Sequence, residues 1–330
     1  MKNLFLSLLL AVLIIGLMSA PILAESVNVY TSLDEELART VFERYQDETG
    51  VEIRWVRLST GEAVSRMMAE SANPQASIWV GGVGLGHIQA KDSGLTIPFE
   101  AENAQHVPAN FKDPDNYWTG IYAGPLCFVS NTGRLEELGL EAPKSWADIV
   151  KPEYENQVQV ANPGTSGTSY NVLATMVQIM GEDEAFEYMK KLDRSVVQYT
   201  RSGSAPGKNA AIGEVPIGIG YAHDQVKLKS QGYPLEITFP EEGTGYEVAS
   251  ISLIKGGKET ETAKDLYNWL LSEEAAQIYA DTFVVPFRDA ELQPGAVPIS
   301  EVNTIDQDDV WAGKNKERLV ERWNDEIYSQ

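Results

Sequence analysis

The sequence predicts an α/β protein of two domains with mostly parallel sheets. Short apolar strands alternate with amphipathic helices along the chain, the pattern of a parallel sheet covered by helices. Roughly 300 residues follow the N-terminal apolar segment, a length that suits two domains of about 150 each. The single cysteine, Cys127, excludes an internal disulfide framework, so stability must come from ordinary hydrophobic cores.

Residues 1–24 read as a cleavable secretory signal. Lys2 supplies the positive start. Leu4 to Met18 is nearly unbroken apolar sequence, interrupted only by Ser7 and Gly16. Ser19, Ala20 and Pro21 end the run, and Leu23-Ala24 places a small residue before Glu25. The run is short for a membrane span, so cleavage after Ala24 is expected over an uncleaved anchor. No long apolar run follows Ser26, and Cys127 lies too far from the cleavage point to carry a lipid. A freely diffusing exported protein is retained only between two membranes, so a periplasm is the expected location.

The net charge of −22 disfavours nucleic acid and anionic membranes as partners. The three histidines, His87, His106 and His223, have neither HExxH nor H-x3-5-H spacing, which argues against a histidine-built zinc site. No cofactor is expected.

Each element follows from local pattern. Val27 to Tyr30 alternates as a strand, and the periodic segment Glu35 to Glu48 reads as a helix with Ser32 at the N-cap position. Gly50 stops that helix, Val51 to Val56 is the next strand, and Glu62 to Glu70 the next helix. Ile78 to Val80 is a third strand, running into a glycine-rich turn at Gly81 to Gly84. Leu126 to Val129 is a strand, and Ser145 caps a short helix over Trp146 to Val150. Val158 to Val160 is a strand, followed by helices over Ser169 to Met180 and Glu182 to Leu192. Strands over Ser195 to Thr200 and Ile217 to Tyr221 come next. The late part holds a strand over Tyr246 to Ile254 and helices over Thr262 to Leu271 and Glu273 to Asp281.

Three loops share one chemistry. Thr31-Ser32, Ser59-Thr60-Gly61 and Thr165-Ser166-Gly167-Thr168 each precede a helix. The first amides of a helix lack internal partners and carry the positive end of its dipole, and hydroxyls and glycines let an anion approach them. Each loop alone also reads as a simple cap; together, at the carboxyl ends of parallel strands, they can converge on one crevice. Neither the Thr165 loop nor Lys208 satisfies a Walker pattern, which disfavours a nucleotide hydrolase. Gly81-Gly82-Val83-Gly84-Leu85-Gly86 fits a dinucleotide fingerprint poorly and reads as a close turn against a ligand or neighbouring backbone. His223-Asp224 closes an apolar strand, where Asp224 is either a hydroxyl acceptor or the N-cap of a helix from Gln225. Glu247, in Gly243-Thr244-Gly245-Tyr246-Glu247, is either a ligand contact or a hinge acceptor.

In order, the segments VNVYTS, LSTGE, NPQASIWVGG, ANPGTSGTSY, SGSAPGK, IGIGYAHD and EEGTGYEV resemble the substrate-binding proteins of ABC importers, in the branch of ferric-iron, thiamine and phosphonate binders. The resemblance spans about residues 26 to 325. It implies a type II periplasmic binding fold, two α/β lobes joined by crossing strands that close on a ligand. Ferric binders of this branch carry adjacent tyrosines where this chain has Tyr221-Ala222-His223-Asp224, and the missing second phenolate disfavours iron. The His-Asp pair with the later Gly-Thr-Gly-Tyr-Glu segment is similar to binders of phosphorylated hexoses. That resemblance assigns Ser32, Thr60, Gly61, Ser166, Gly167 and Thr168 to a phosphate, and His223, Asp224 and Glu247 to sugar hydroxyls. Ser59, Gly82 and Thr165 complete the expected ligand-binding set. No catalytic or metal site is expected; a secreted phosphatase or glycosidase would need an activated nucleophile, a metal cluster or a carboxylate pair flanking a scissile bond. The implied partners are a small anionic ligand and an inner-membrane ABC permease with its ATPase, the protein itself acting as a monomer. Residues 25–123 plus 250–330 are expected in the first lobe and 124–249 in the second, with hinges near Tyr122 to Leu126 and Tyr246 to Ser250.

Overall fold

The computed structural model describes residues 25–328. The expected signal segment lies outside them. Strand β1 (Ser26–Thr31) leads into helix α1 (Glu35–Thr49), then β2 (Glu52–Arg57), α2 (Thr60–Ala69), β3 (Ile78–Val83), α3 (Gly84–Asp92) and the short β4 (Thr96–Ile97). Strands β1, β2 and β3 pair in parallel, as the strand–helix alternation requires. Helix α1 shows why: Leu37, Ala38, Val41, Phe42 and Tyr45 recur at helical spacing and are buried, while Gly50 closes the helix in the left-handed conformation.

Thirteen residues form β5 (Thr119–Asn131), and every one is buried. Helix α4 (Thr132–Leu138), β6 (Val158–Ala161), α5 (Gly167–Met180), α6 (Glu182–Ser195), β7 (Val196–Thr200), α7 (Ala205–Ala211), β8 (Ile217–Tyr221), α8 (Ala222–Ser230) and β9 (Leu235–Thr238) make the second half. Strand β10 (Tyr246–Ile254), α9 (Thr260–Trp269), α10 (Glu273–Asp281), β11 (Val285–Pro286) and α11 (Asp309–Trp323) complete the chain. The strands run in the order β2-β1-β3-β10-β5-β8-β6-β7, with β4 on β10 and β9 and β11 on β5.

Strand β5 joins the halves. Its first part lies antiparallel to β10, from Thr119 opposite Ile251 to Pro125 opposite Tyr246. Its second part, Leu126 to Ser130, pairs with β8. Two cores flank this crossing. Val27, Val29, Ile78, Val80, Ile251 and Leu266 belong to one; Leu126, Phe128, Val160, Tyr170, Phe186 and Ile217 belong to the other.

Several local expectations are corrected. Asp34, not Ser32, caps α1, its side chain accepting from the amide of Glu36 at 3.2 Å. Strand β3 continues through Gly81 and Gly82, both at positive φ, so the glycines bend a strand instead of ending it. Trp146 to Val150 forms turns and bends, with Ser145 Oγ accepting only from the amide of Asp148. Helix α8 starts at Ala222, which puts Asp224 inside its first turn and not at the cap. The last helix also departs from a simple two-way division. Ala312, Leu319 and Trp323 share the second core, while Gly313 packs against Ile88 and Leu85 of α3. Residues 309–323 therefore pack against elements of both halves.

Candidate functional site

The parallel strands of both halves end on one crevice, the place where an open α/β sheet receives a ligand. The cavity in this crevice has a volume of about 60 Å³. Ser32, Ser59, Thr60, Gly82, Ser166, Gly167, Thr168, His223, Asp224 and Glu247 all line it. Gly61 and Thr165 do not. Instead the Gly61 amide donates to the Thr165 carbonyl at 3.0 Å, and the Thr165 hydroxyl donates to the carbonyl of Arg201. These two residues close the halves on each other at the rim.

One part of the crevice lining is made of hydroxyls and backbone. Ser32 is free of capping because Asp34 takes that role, and its Oγ accepts from Trp79 Nε1 at 3.0 Å. Gly82, at φ 84°, passes so close to Ser32 that a Cβ there would lie 2.9 Å from the serine Cβ and 3.0 Å from Thr60 Oγ1. Thr60 Oγ1 accepts from the amide of Val83 at 3.3 Å. From the other half, Ser166 caps α5 by accepting from the amide of Ser169, and Gly167 and Thr168 form its first turn. A Cβ on Gly167 would stand 2.6 Å from Thr60 Oγ1, so the two halves meet there. Gly203 lies against the Thr168 and Ser166 hydroxyls in the same way. This part therefore presents hydroxyl donors and the open amides of a 14-residue helix.

Another part of the lining is made of acceptors and rings, and meets the first where the Tyr221 and Thr168 side chains hydrogen-bond. His223 Nε2 stands 3.4 Å from Glu247 Oε1 and 3.7 Å from Asp224 Oδ1. Tyr122 and Tyr221 flank the imidazole, with ring centroids 5.6 and 6.0 Å away. Burial raises the Glu247 carboxyl well above its usual range, and the charge of Asp224 adds to the rise. Burial lowers the His223 imidazole, against the opposing pull of Asp224. Burial also pushes both tyrosines well above the ordinary phenol value. Burial thus disfavours the charged forms of both His223 and Glu247, leaving a donor–acceptor set suited to hydroxyl groups.

Sequence reasoning missed further groups of the lining. Asp34, Arg57, Tyr122, Ser202, Ser204, Tyr221 and Lys227 also line the crevice. Asp34 Oδ2 meets Lys208 Nζ at 2.9 Å and its Oδ1 lies 3.5 Å from Lys227 Nζ, both lysines coming from the second half. Burial opposes ionisation of Asp34, but the hydrogen bond and charge of Lys208 and the charge of Lys227 win and hold its carboxyl down at about 2. Lys227 bonds Glu36 at 2.7 Å as well. Glu62 and Arg201 pair across the rim at 2.6 Å, but Arg201 is 83 % exposed and such a pair contributes only about 0–1 kcal/mol. The sequence reading put the helix cap at Ser32 and did not mark Asp34, although a capping carboxylate is a local signal; nothing local marked its partners.

Known proteins agree with this architecture. An uncharacterized protein of Haemophilus influenzae is 36 % identical over 91 % of this chain and 90 % of its own length. A putative 2-aminoethylphosphonate-binding periplasmic protein of Salmonella typhimurium is 27 % identical over 79 % of each chain. The structure of the periplasmic binding protein AfuA from Actinobacillus pleuropneumoniae, with exogenous fructose-6-phosphate bound, superposes with a TM-score of 0.90 at 34 % identity, covering 92 % of this chain and 99 % of that one. The two-lobed periplasmic binding fold implied by the sequence is thus the fold of this chain. A family model of bacterial extracellular solute-binding proteins matches residues 87–311, and the chain belongs to that family.

Proposed function

We propose that the protein captures a sugar phosphate in the crevice and delivers it to an inner-membrane ABC permease with its ATPase. The observation that carries this reading is the mixed chemistry of the crevice lining. Hydroxyls and helix amides from Ser32, Thr60, Ser166, Gly167 and Thr168 suit a phosphate, while His223, Asp224 and Glu247 suit sugar hydroxyls. The likeness to a binding protein holding fructose-6-phosphate supports the same assignment. The protein performs no chemical step, needs no cofactor, and acts as a periplasmic monomer. The lobes, residues 25–123 with most of 250–330 and residues 124–249, close about Tyr122 to Leu126 and Tyr246 to Ser250, with α11 spanning both.

A second ligand class has support in the 2-aminoethylphosphonate relative, because Asp224 and Glu247 can also receive an ammonium group. Titration calorimetry separates the readings. Fructose 6-phosphate should bind more tightly than 2-aminoethylphosphonate and far more tightly than ferric salts, with no phosphate released during incubation. Tighter binding of the phosphonate, a coloured iron complex, or phosphate release would each displace the proposal.

A further inference from the structure

Arg57 is the cation that lines the crevice without a carboxylate partner among the described residues. Lys227, the other lining cation, is committed to Asp34 and Glu36. Arg57 Nε donates to the Leu33 carbonyl of the first half at 3.3 Å, and its Nη2 donates to Ser202 Oγ of the second half at 3.3 Å. Both bonds are long, and the remaining guanidinium N–H groups meet no acceptor among the described residues. Ser202 Oγ lies 3.1 Å from Ser204 Oγ, and Gly203 between them touches Thr168 and Ser166. The guanidinium therefore borders the same hydroxyl groups that receive the anion in the proposed function.

We propose that Arg57 determines specificity by reading the charge of the ligand, selecting a phosphate monoester over a singly charged ester of the same shape. Neutral hydroxyls and helix amides bind either group, since they recognise oxygens and partial charge. A fixed cation adds an interaction that grows with the second charge, and a phosphate monoester carries about −1.5 to −2 at pH 7. The guanidinium also presents a planar fork that matches two phosphate oxygens at once. Its bond to Ser202 ties this recognition to closure, because the two residues come from opposite halves.

This inference rests on the proposed function, and calorimetry at fixed pH 7.5 with fructose 6-phosphate and fructose 6-sulfate tests the two separately. The wild-type protein should prefer the phosphate. Arg57→Gln should weaken the phosphate ester by roughly 10- to 100-fold, the sulfate ester by much less, and so collapse the preference. Arg57→Lys should keep most of it. Ser202→Ala, which removes the cross-lobe bond but leaves the charge, should lower both affinities slightly and keep the preference. A wild-type protein that binds both esters equally, an Arg57→Gln protein that retains the preference, or a Ser202→Ala protein that loses it as fully as Arg57→Gln would each overturn the inference. A wild-type protein that binds neither ester overturns the sugar-phosphate reading itself.

Discussion

His223 Nε2 and Glu247 Oε1 lie 3.4 Å apart across the crevice wall, one from α8 and the other from β10. Glu247 is 5 % exposed, and its carboxyl is held well above the usual range by burial and by Asp224. A folded-state value above the unfolded one means the native protein binds more protons over that window. Stability from this group is therefore full below the ordinary glutamate range and declines as pH rises toward the folded value. Glu247→Gln keeps the shape and removes the ionisation. Its melting temperature should match the wild type near pH 4 and exceed it near pH 8; thermal unfolding at both pH values checks this.

Asp34 has the opposite sign. Its carboxyl, 18 % exposed, falls from the ordinary 3.8 to about 2. Stability from this group is present above the ordinary value and is lost as pH falls from about 4 through about 2. At about 1.4 kcal/mol per pKa unit, the gain is on the order of 2 kcal/mol. Because Lys208 and Lys227 come from the other half, that energy favours the closed arrangement. Asp34→Asn should lower ligand affinity by roughly 10-fold at pH 7 and increase the radius of gyration in solution scattering. A variant with the wild-type radius and affinity would show that these ion pairs do not hold the lobes.

The elements were legible where a local period governs them. Tyr246–Ile254 and Glu273–Asp281 match their sequence boundaries because alternation and helical spacing run uninterrupted. Strand β5 was not, since only Leu126 to Val129 reads as a strand. Gly120, Gly124 and Pro125 interrupt the pattern of its earlier part. Those residues serve the crossing: Pro125 has no amide to donate and sits where β5 changes partner from β10 to β8, the Leu126 amide turning to the Gly245 carbonyl at 2.8 Å. The hydroxyl and His-Asp loops of the site were visible because each is a short contiguous motif. Arg57, Asp34 and Lys227 were not, because their meaning comes from partners more than 140 residues away in the chain, such as Ser202, Lys208 and, for Lys227, Glu36.

Gly61 is where backbone meets backbone at closure. A Cβ there would press into the carbonyl oxygens of Gly164 and Thr165, and neither can rotate aside. The residue is in the first turn of α2, where alanine is otherwise well tolerated. Gly61→Ala should therefore spare the fold of each lobe and penalise only the closed state. Overpacking typically costs about 1–3 kcal/mol, so affinity should fall roughly 5- to 150-fold with little change in the melting temperature of the ligand-free protein. Calorimetry and thermal unfolding together distinguish this from a general loss of stability.

The two chemistries of the crevice lining make separable demands on a ligand. Asp224 lies beside His223 among the acceptors, whereas Thr168 stands in the first turn of α5 against Gly203. A hydrogen bond to a charged group contributes about 1.5–3 kcal/mol, enough for a 10- to 150-fold change in affinity. Asp224→Ala should thus weaken fructose 6-phosphate by roughly that factor and leave inorganic phosphate nearly untouched, because the proposed function gives the phosphate to the hydroxyl loops and Asp224 to the sugar. Thr168→Ala should weaken both ligands together, by roughly 5- to 10-fold for a neutral hydroxyl donor. The ratio of the two affinities is the informative quantity, since a global defect in either variant would lower both ligands in parallel. If Asp224→Ala weakens inorganic phosphate as much as the sugar phosphate while the melting temperature of the ligand-free protein is unchanged, the anion lies against Asp224 and the assignment of phosphate and sugar contacts is reversed.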